Sequence, residues 1–387
     1  MDYGVALIVD GHGMEGEVLD TDPVYEEVVE GLARRLEGLR GGPRVAAMPD
    51  FFVDHFIYFD GDAFRFEEEF RSVVSRGGGD MPHTLQEIHK GGNAANMSYA
   101  VSRLGGGAVL LARTSGLGLA LLRYFFEGEN VDLSRVRGDG RLAVSTQLEL
   151  RGDDGAVNVM IGDWGSASDF GPEMLTDEDY RVIAGCDYAC VVNWSENMRG
   201  TDLAEMVFSR LEGCGAVRFF DPGDPSTKPG EVKGLFRRVL SRGLTDHLSL
   251  NENEFRWIAW EAGIALKGGL EGLKQGLRRL WEMIGGGIVD LHTSDYSASV
   301  VDGEAYLCPT FRVEPLRATG AGDAWNAASI WAGHMGLSPL ERLIFANAAA
   351  GLYISAGRAE PPRLGEVRMA LSSLKLRDLG APPPEKR

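Results

Sequence analysis

Between Tyr188 and His292 the chain alternates short apolar runs with segments of helix length. "YACVVNW", "VRFFDP", "LSLN" and "IVDLH" are separated by helix candidates around 200–212, 229–242, 253–264 and 270–284. No other feature constrains the fold as strongly. A strand that is followed by a crossover helix and then by another strand builds a parallel sheet with helices on both faces. The expected fold class is therefore α/β, with a mostly parallel central sheet flanked by helices on both faces. Ligands of such sheets bind beyond the carboxyl ends of the strands.

Composition narrows the function. At 387 residues, 44% of them hydrophobic, the chain can bury a large core, as one α/β domain with an accessory part or as two domains. A formal net charge of -18 opposes nucleic acid and anionic membranes as partners, so attraction for a phosphate compound would have to be local. Cys186, Cys190, Cys214 and Cys308 form neither a disulfide framework nor a zinc-type pair and read as core thiols of a reducing compartment. No basic-then-apolar leader and no run of about 18 apolar residues is visible, so a cytoplasmic location is expected.

Along the chain, a strand at 4–9 and an amphipathic helix at 22–39, with Asp22 as N-cap and Pro23 in its first turn, form an N-terminal extension, 1–44. The core is expected over 45–375, with excursions near 54–84 and 139–166, and a tail over 376–387. The segment from Asp60 to Lys90 alternates aromatic and charged residues and then becomes loop-like, which suits an excursion from the core more than a core element.

Three stretches carry chemistry. In "RATGAGDAWNAASIWAG" (317–333), Gly320, Ala321 and Gly322 place backbone N–H groups at a helix entrance, where they and the helix dipole can hold an anion. Asp323 beside them would repel a bound phosphate, but it suits a general base that takes a proton from an attacking hydroxyl. The plain alternative is a glycine turn before an acidic helix start. In "SLNENEF", Asn251 and Glu254 can face a hydrated magnesium ion or can simply cap a helix. In "HKGGNAANMS", Gly91 and Gly92 admit a small molecule to the backbone and Asn96 can bond a hydroxyl; close helix packing would need the same glycines. Asp50 and Asp54 bracket a strand end, either as sugar-binding carboxylates or as solvated loop acids. Lys90, Arg103 and Arg113 either hold a substrate phosphate or form surface ion pairs. "VDGHG", with Asp10 and His12, would fit a metal phosphohydrolase only weakly. The Walker pattern and the intact dinucleotide fingerprint are both missing from the sequence.

Taken in order, GGxxxN at 91–96, NxxE at 251–254 and TGAGD at 319–323 resemble the ribokinase, or pfkB-type, carbohydrate kinases. The resemblance runs from about Arg44 to Gly365 and implies a small β lid over a sugar. It also implies Asp323 as catalytic base, Gly320 to Gly322 as anion hole, and Asn251 and Glu254 near Mg2+ or another divalent cation. Asp54, Gly91, Gly92 and Asn96 then meet the acceptor, with Asp50 and Lys90 beside it, while Asn251, His292, Thr293, Thr319 and Asn347 meet the nucleotide. Lid strands often pair between subunits in this family, so a homodimer is compatible with it. Arg317 stands where the family usually has an acid, which leaves activation by a monovalent cation open. In place of a glycine-rich turn the chain has His292-Thr293, similar to an element of the ADP-dependent sugar kinases. The expectation is ADP as donor and ribose 1-phosphate as acceptor. An ATP-dependent ribokinase or nucleoside kinase is the alternative, and a catalytically silent sugar or nucleotide sensor is a reading of a different class.

Overall fold

The structure is a computed structural model, and it describes residues 23–81, 84–152, 155–266, 268–316, 319–356 and 360–377. The expected strand at 4–9, together with Asp10, His12, Asp22 and Arg317, lies outside them. In chain order the strands are β1 (Arg44–Met48), β2 (Phe52–Asp62), β3 (Leu85–Gly91), β4 (Gly107–Leu110), β5 (Ala112–Arg113), β6 (Val131–Asp132) and β7 (Val136–Arg137). They continue as β8 (Ala143–Gly152), β9 (Gly155–Asp163), β10 (Tyr188–Val191), β11 (Val217–Phe220), β12 (His247–Asn251), β13 (Ile288–His292), β14 (Tyr296–Val301) and β15 (Glu304–Pro309).

Nine of these strands form one sheet in the order β15-β14-β13-β12-β11-β10-β1-β4-β6. From β13 through β6 every pairing is parallel, as the alternation of strands and helices predicts. The inner strands are buried along most of their length because helices cover both faces; all four residues of β10 are buried. The antiparallel edge is a hairpin, β14-β15, turned at Asp302-Gly303 with φ of 52° and 80°. Left-handed backbone at both positions favours Asp-Gly in such a turn.

The chain builds β4 and β6 on one side of β1, then crosses to β10 and works outward through β11, β12 and β13. The order therefore reverses between β1 and β10, and that reversal opens a crevice at the carboxyl edge. A second sheet, β3-β2-β8-β9, stands over this edge as a lid. Its strands β2, β8 and β9 overlap the expected excursions near 54–84 and 139–166, while β3 follows the first of them; that first stretch holds a helix, Ala63–Ser75, not assigned from the sequence. Asp62 caps that helix by accepting the Arg65 N–H at 2.7 Å, and its Phe66 packs on a small apolar cluster of Phe59, Leu148 and Leu150.

The helix expected at 22–39 is found at Pro23–Leu36. Its Val29, Leu32 and Leu36 pack in one cluster with Trp325, Trp331, Phe345 and Leu371, so this part of the N-terminal segment is a layer of the core. At the other end the tail boundary shifts: Leu376 is buried and bridges Phe311, and Arg377 pairs with Asp295 at 2.7 Å. Residues 378–387 lie outside the described residues. Cys186, Cys190 and Cys308 are buried thiols as expected, whereas Cys214 is exposed. No described helix is long and apolar enough to cross a membrane.

Candidate active site

Five polar residues lie at strand ends facing the crevice: Asn251 and His292 close β12 and β13, Asp221 follows β11 directly, and Asp50 and Asn193 lie just past β1 and β10. At these ends the backbone leaves the covered core and a polar side chain can face the crevice, whereas the polar residues inside β12 and β13 are satisfied internally, His247 by Asp290 at 2.8 Å and Ser249 by Asn326. The helix Ala321–His334 points its N-terminus at the same place. Gly320 caps it in the left-handed region, φ 83°, and a Cβ there would lie 2.5 Å from the Tyr353 hydroxyl. Its first-turn N–H groups have no helical acceptor, so the end is a ready anion site.

Asp323 lies in that first turn and is only 7% exposed. Asn96, on the helix Asn93–Arg103, donates to Asp323 Oδ2 at 3.0 Å. Burial pushes the Asp323 carboxyl well above its ordinary range; the Asn96 bond works against this, and Asp221, Asp50 and Asp54 add to it. A carboxylate whose ionised form is disfavoured is a stronger base for a hydroxyl proton.

Two cavities meet at this helix end. The first, of about 260 Å³, lies under the lid and is lined by Phe52, Asp54, Gly92, Asn96, Gln147, Trp164, Glu196, Asp221, Glu254 and Asp323, among others. The second, of about 670 Å³, has an apolar floor of Phe311, Val313, Pro315, Ala350 and Ile354, with Asn347, Thr293, Arg256 and Arg377 at its sides. Asn251, His292 and Gly322 line both. A compartment for a small polar molecule thus opens onto one large enough for a nucleotide, with helix amides and a carboxylate at the junction.

The expected residues fall on both sides of that junction. Gly92 (φ 89°), Asn96, Thr319, Gly320, Gly322 and Asp323 line the smaller cavity, which puts Thr319 on the acceptor side rather than on the nucleotide side. Ala321, Thr293, His292, Asn251 and Asn347 line the larger one. Asn347 spends its amide on Trp325 and on the Pro309 carbonyl, and Thr293 forms a turn with Tyr296. His292 Nε2 is buried without a partner among the described residues, and burial lowers the imidazole to about 4, so it is neutral.

Asp54 reaches the cavity because residue 91 is glycine: a Cβ there would sit 2.2 Å from Asp54 Oδ1. Gly91 itself does not line the cavity. Burial, and after it the charge of Glu196, pushes Asp54 up to about 7.

Asp50 needs correction. Its carboxylate accepts the Ala94 N–H at 2.7 Å, the Asn93 N–H at 3.2 Å and Asn193 Nδ2 at 2.7 Å, so it anchors a helix start and does not line the cavity. Lys90 also stays off the cavity wall, with its ammonium 4.1 Å above the Tyr99 ring. It nevertheless lies within electrostatic reach of Asp54 and Asp323, and burial lowers it to about 8. Arg103 engages Glu129, Glu360 and Glu366, and Arg113 engages Asp139; both are structural ion pairs.

The metal reading changes in one member. Asn251 and Glu254 form a complete capping box: Asn251 Oδ1 accepts the Glu254 N–H at 3.0 Å, and Glu254 accepts from the Asn251 N–H at 2.7 Å and from its amide at 2.5 Å. The Asn251 side chain is thereby occupied. Asp221, which the sequence reading passed over, lines the same cavity as Glu254 and helps push it well above its ordinary range, after burial itself. Neither carboxylate has an ion-pair partner among the described residues. No three His, Cys, Asp or Glu side chains of the described chain converge as a metal cage. Two carboxylates beside a phosphate site fit magnesium, which keeps most of its waters.

Residues 62–363 match the pfkB family of carbohydrate kinases. Among solved structures, the chain is similar to the ribokinase of Arabidopsis thaliana complexed with ribose and ATP, at 20% identity and a TM-score of 0.66, covering 86% of this chain and 99% of that one. The 2-dehydro-3-deoxygluconokinase of Thermotoga maritima gives a TM-score of 0.71 at 15% identity, with the same coverages. The adenosine kinase of Sinorhizobium meliloti gives 0.64 at 18%, again over 86% and 99%. These three share the fold, and the family match spans most of the chain; with Asp323 at the mouth of an anion-binding helix, the chain belongs to the pfkB family of carbohydrate kinases.

Proposed function

We propose that this chain transfers the terminal phosphoryl group of a nucleotide to a hydroxyl of a sugar or sugar phosphate. The observation that carries the reading is the junction of the two cavities, where Asp323 faces the acceptor side and the first turn of its helix opens on both. Asp323 takes the proton of the acceptor hydroxyl as that oxygen bonds to phosphorus, while the bond to the donor's bridging oxygen breaks. The N–H groups of Ala321 and Gly322 stabilise the charge on the transferring group. Asp221 and Glu254 would hold a magnesium ion, which when bound neutralises phosphate charge. The lid strands β2, β8 and β9 supply one wall of the acceptor cavity through Asp54, Gln147 and Met160.

The finer reading is ADP as donor and ribose 1-phosphate as acceptor. It is supported by His292 and Thr293 at the donor cavity and by the partly buried Lys90 within electrostatic reach of Asp54. A second reading, an ATP-dependent kinase of a free pentose or a nucleoside, is favoured by the acceptor cavity itself. Its described lining has five carboxylates, Asp54, Glu196, Asp221, Glu254 and Asp323, and no Lys or Arg.

One experiment separates these readings: ATP and ADP are each assayed with magnesium against free sugars, sugar phosphates and nucleosides, and products are resolved by mass. Phosphorylated product in any cell, lost in Asp323→Asn, supports the kinase reading. Tight binding without product across the whole matrix would leave a sensor and overturn it.

A further inference from the structure

Asn326 lies one turn behind Asp323 on the same helix and is completely buried. Its Nδ2 donates to Asp221 Oδ2 at 2.7 Å, and its Oδ1 accepts the hydroxyl of Ser249, also fully buried, at 2.5 Å. The Asp221 carboxylate only accepts and so draws the Nδ2 end of the amide, and the Ser249 hydroxyl, donating to Oδ1, holds the amide in that orientation. The other oxygen of Asp221 accepts the Gly223 N–H at 2.9 Å. A relay thus runs from the interior of β12, through the helix that carries Asp323, to the carboxylate at the end of β11. Both Asp221 oxygens are tethered, and the group is aimed into the cavity that Glu254 also lines.

Resting on the kinase reading above, we infer that Asn326 is a positioning residue, oriented by Ser249, that holds Asp221 opposite Glu254 as the carboxylate pair receiving the divalent cation. Asn326 touches neither substrate nor metal. Its position on the Asp323 helix also fixes the spacing between the cation and the catalytic base, because both are set by one rigid element.

The test uses the full chain and Mn2+ as probe, titrated by electron paramagnetic resonance with a non-transferable nucleotide analogue present, so that no turnover is needed. Asn326→Leu keeps the volume and removes the donor, and it should raise the Mn2+ dissociation constant about tenfold or more, as expected for a lost hydrogen bond to a charged group. In steady-state assays the magnesium activation constant should rise in parallel, with the acceptor KM unchanged at saturating metal. Ser249→Ala, which only frees the amide, should produce a smaller rise in the same direction. An unchanged Mn2+ constant in a folded Asn326→Leu protein overturns the inference. If that variant does not fold, Ser249→Ala decides alone, and unchanged binding there overturns it equally. These outcomes leave the kinase reading intact when the wild type still phosphorylates an acceptor. A wild type that turns over no acceptor at all undermines that reading instead.

Discussion

Asp323 combines three properties that rarely coincide in a structural acid: burial, a single amide partner and a place at the positive end of a helix. Replacing it with Asn preserves shape and the contact with Asn96 but removes the base, so kcat should fall by about 10²-fold or more, measured with the best acceptor. The protein should melt no lower than wild type, because a disfavoured buried charge has gone. Gly91 gives a complementary prediction. In Gly91→Ala the new Cβ would collide with the Asp54 carboxylate, so the acceptor KM should rise several-fold while the nucleotide KM holds; equal changes in both would sink the assignment of Asp54 to the acceptor side. At this scale Asp323, Gly92 and Asn96 were legible because their neighbours in sequence are their neighbours at the site. Asp50 was misread because a helix-anchoring acid and a sugar-binding acid look alike until the hydrogen bonds are traced. Asp221 and Glu196 were missed, being single acids in "FFDP" and "WSEN" without a motif around them. The placement of Asp221 near the carboxyl end of the predicted strand "VRFFDP" was a signal, since such ends form the ligand crevice.

Among the elements, the helix Ala321–His334 is the one whose entrance cannot be varied. Gly320 is left-handed and sits against Tyr353, whose hydroxyl donates to the Thr319 carbonyl at 3.2 Å. Gly320→Ala adds left-handed strain of about 1–2 kcal/mol together with a steric clash, and it should lower both the melting temperature and kcat. A drop in melting temperature at unchanged kcat would separate the cap from the anion site. The lid helix Ala63–Ser75 shows why sequence can mislead at this scale. "AFRF" alternates as a strand would, and the glycines at 77–79 imply a loop, yet Asp62 caps a helix whose Arg65 pairs with Glu69 and Arg71 with Glu67 one turn apart. Phe66, Phe70, Val73 and Val74 do recur at helical spacing, but none of the helix's residues is fully buried, and the aromatic-charged alternation at its start obscured that stripe. The β11, β12 and β13 strands were legible for the opposite reason: covered on both faces, they are short runs dominated by large apolar residues between helix-length segments, even though His247, Ser249 and Asp290 are buried inside them.

At the scale of the whole molecule, the site is a concentration of negative charge in a chain already at -18, and this makes stability a reporter of the site. Asp54 is held up to about 7, against roughly 4 for an unfolded carboxyl. Between those values the folded state binds the proton more tightly than the unfolded state, so stability falls as pH rises through the interval and levels off above about 7. Asp54→Asn removes this dependence. The variant should match the wild type near pH 4 and become progressively more stable than it up to about pH 7, by at most about 4 kcal/mol from the size of the shift. The comparison matters because other groups push the opposite way: His247 and His292 are lowered by burial, so the unfolded state holds their protons longer as pH rises, and Lys90 behaves likewise at higher pH. Those contributions largely cancel between variant and parent. Surface repulsion from the net charge also weakens stability at high pH, but salt screens it, whereas a carboxylate only 9% exposed is screened much less. Chemical denaturation of both proteins at pH 5, 6, 7 and 8, in low salt and in 0.5 M salt, should therefore give a difference that grows with pH to about pH 7 and survives the salt. A difference that is flat with pH, or that vanishes in high salt, would place Asp54 in solvent rather than against the wall of the acceptor cavity.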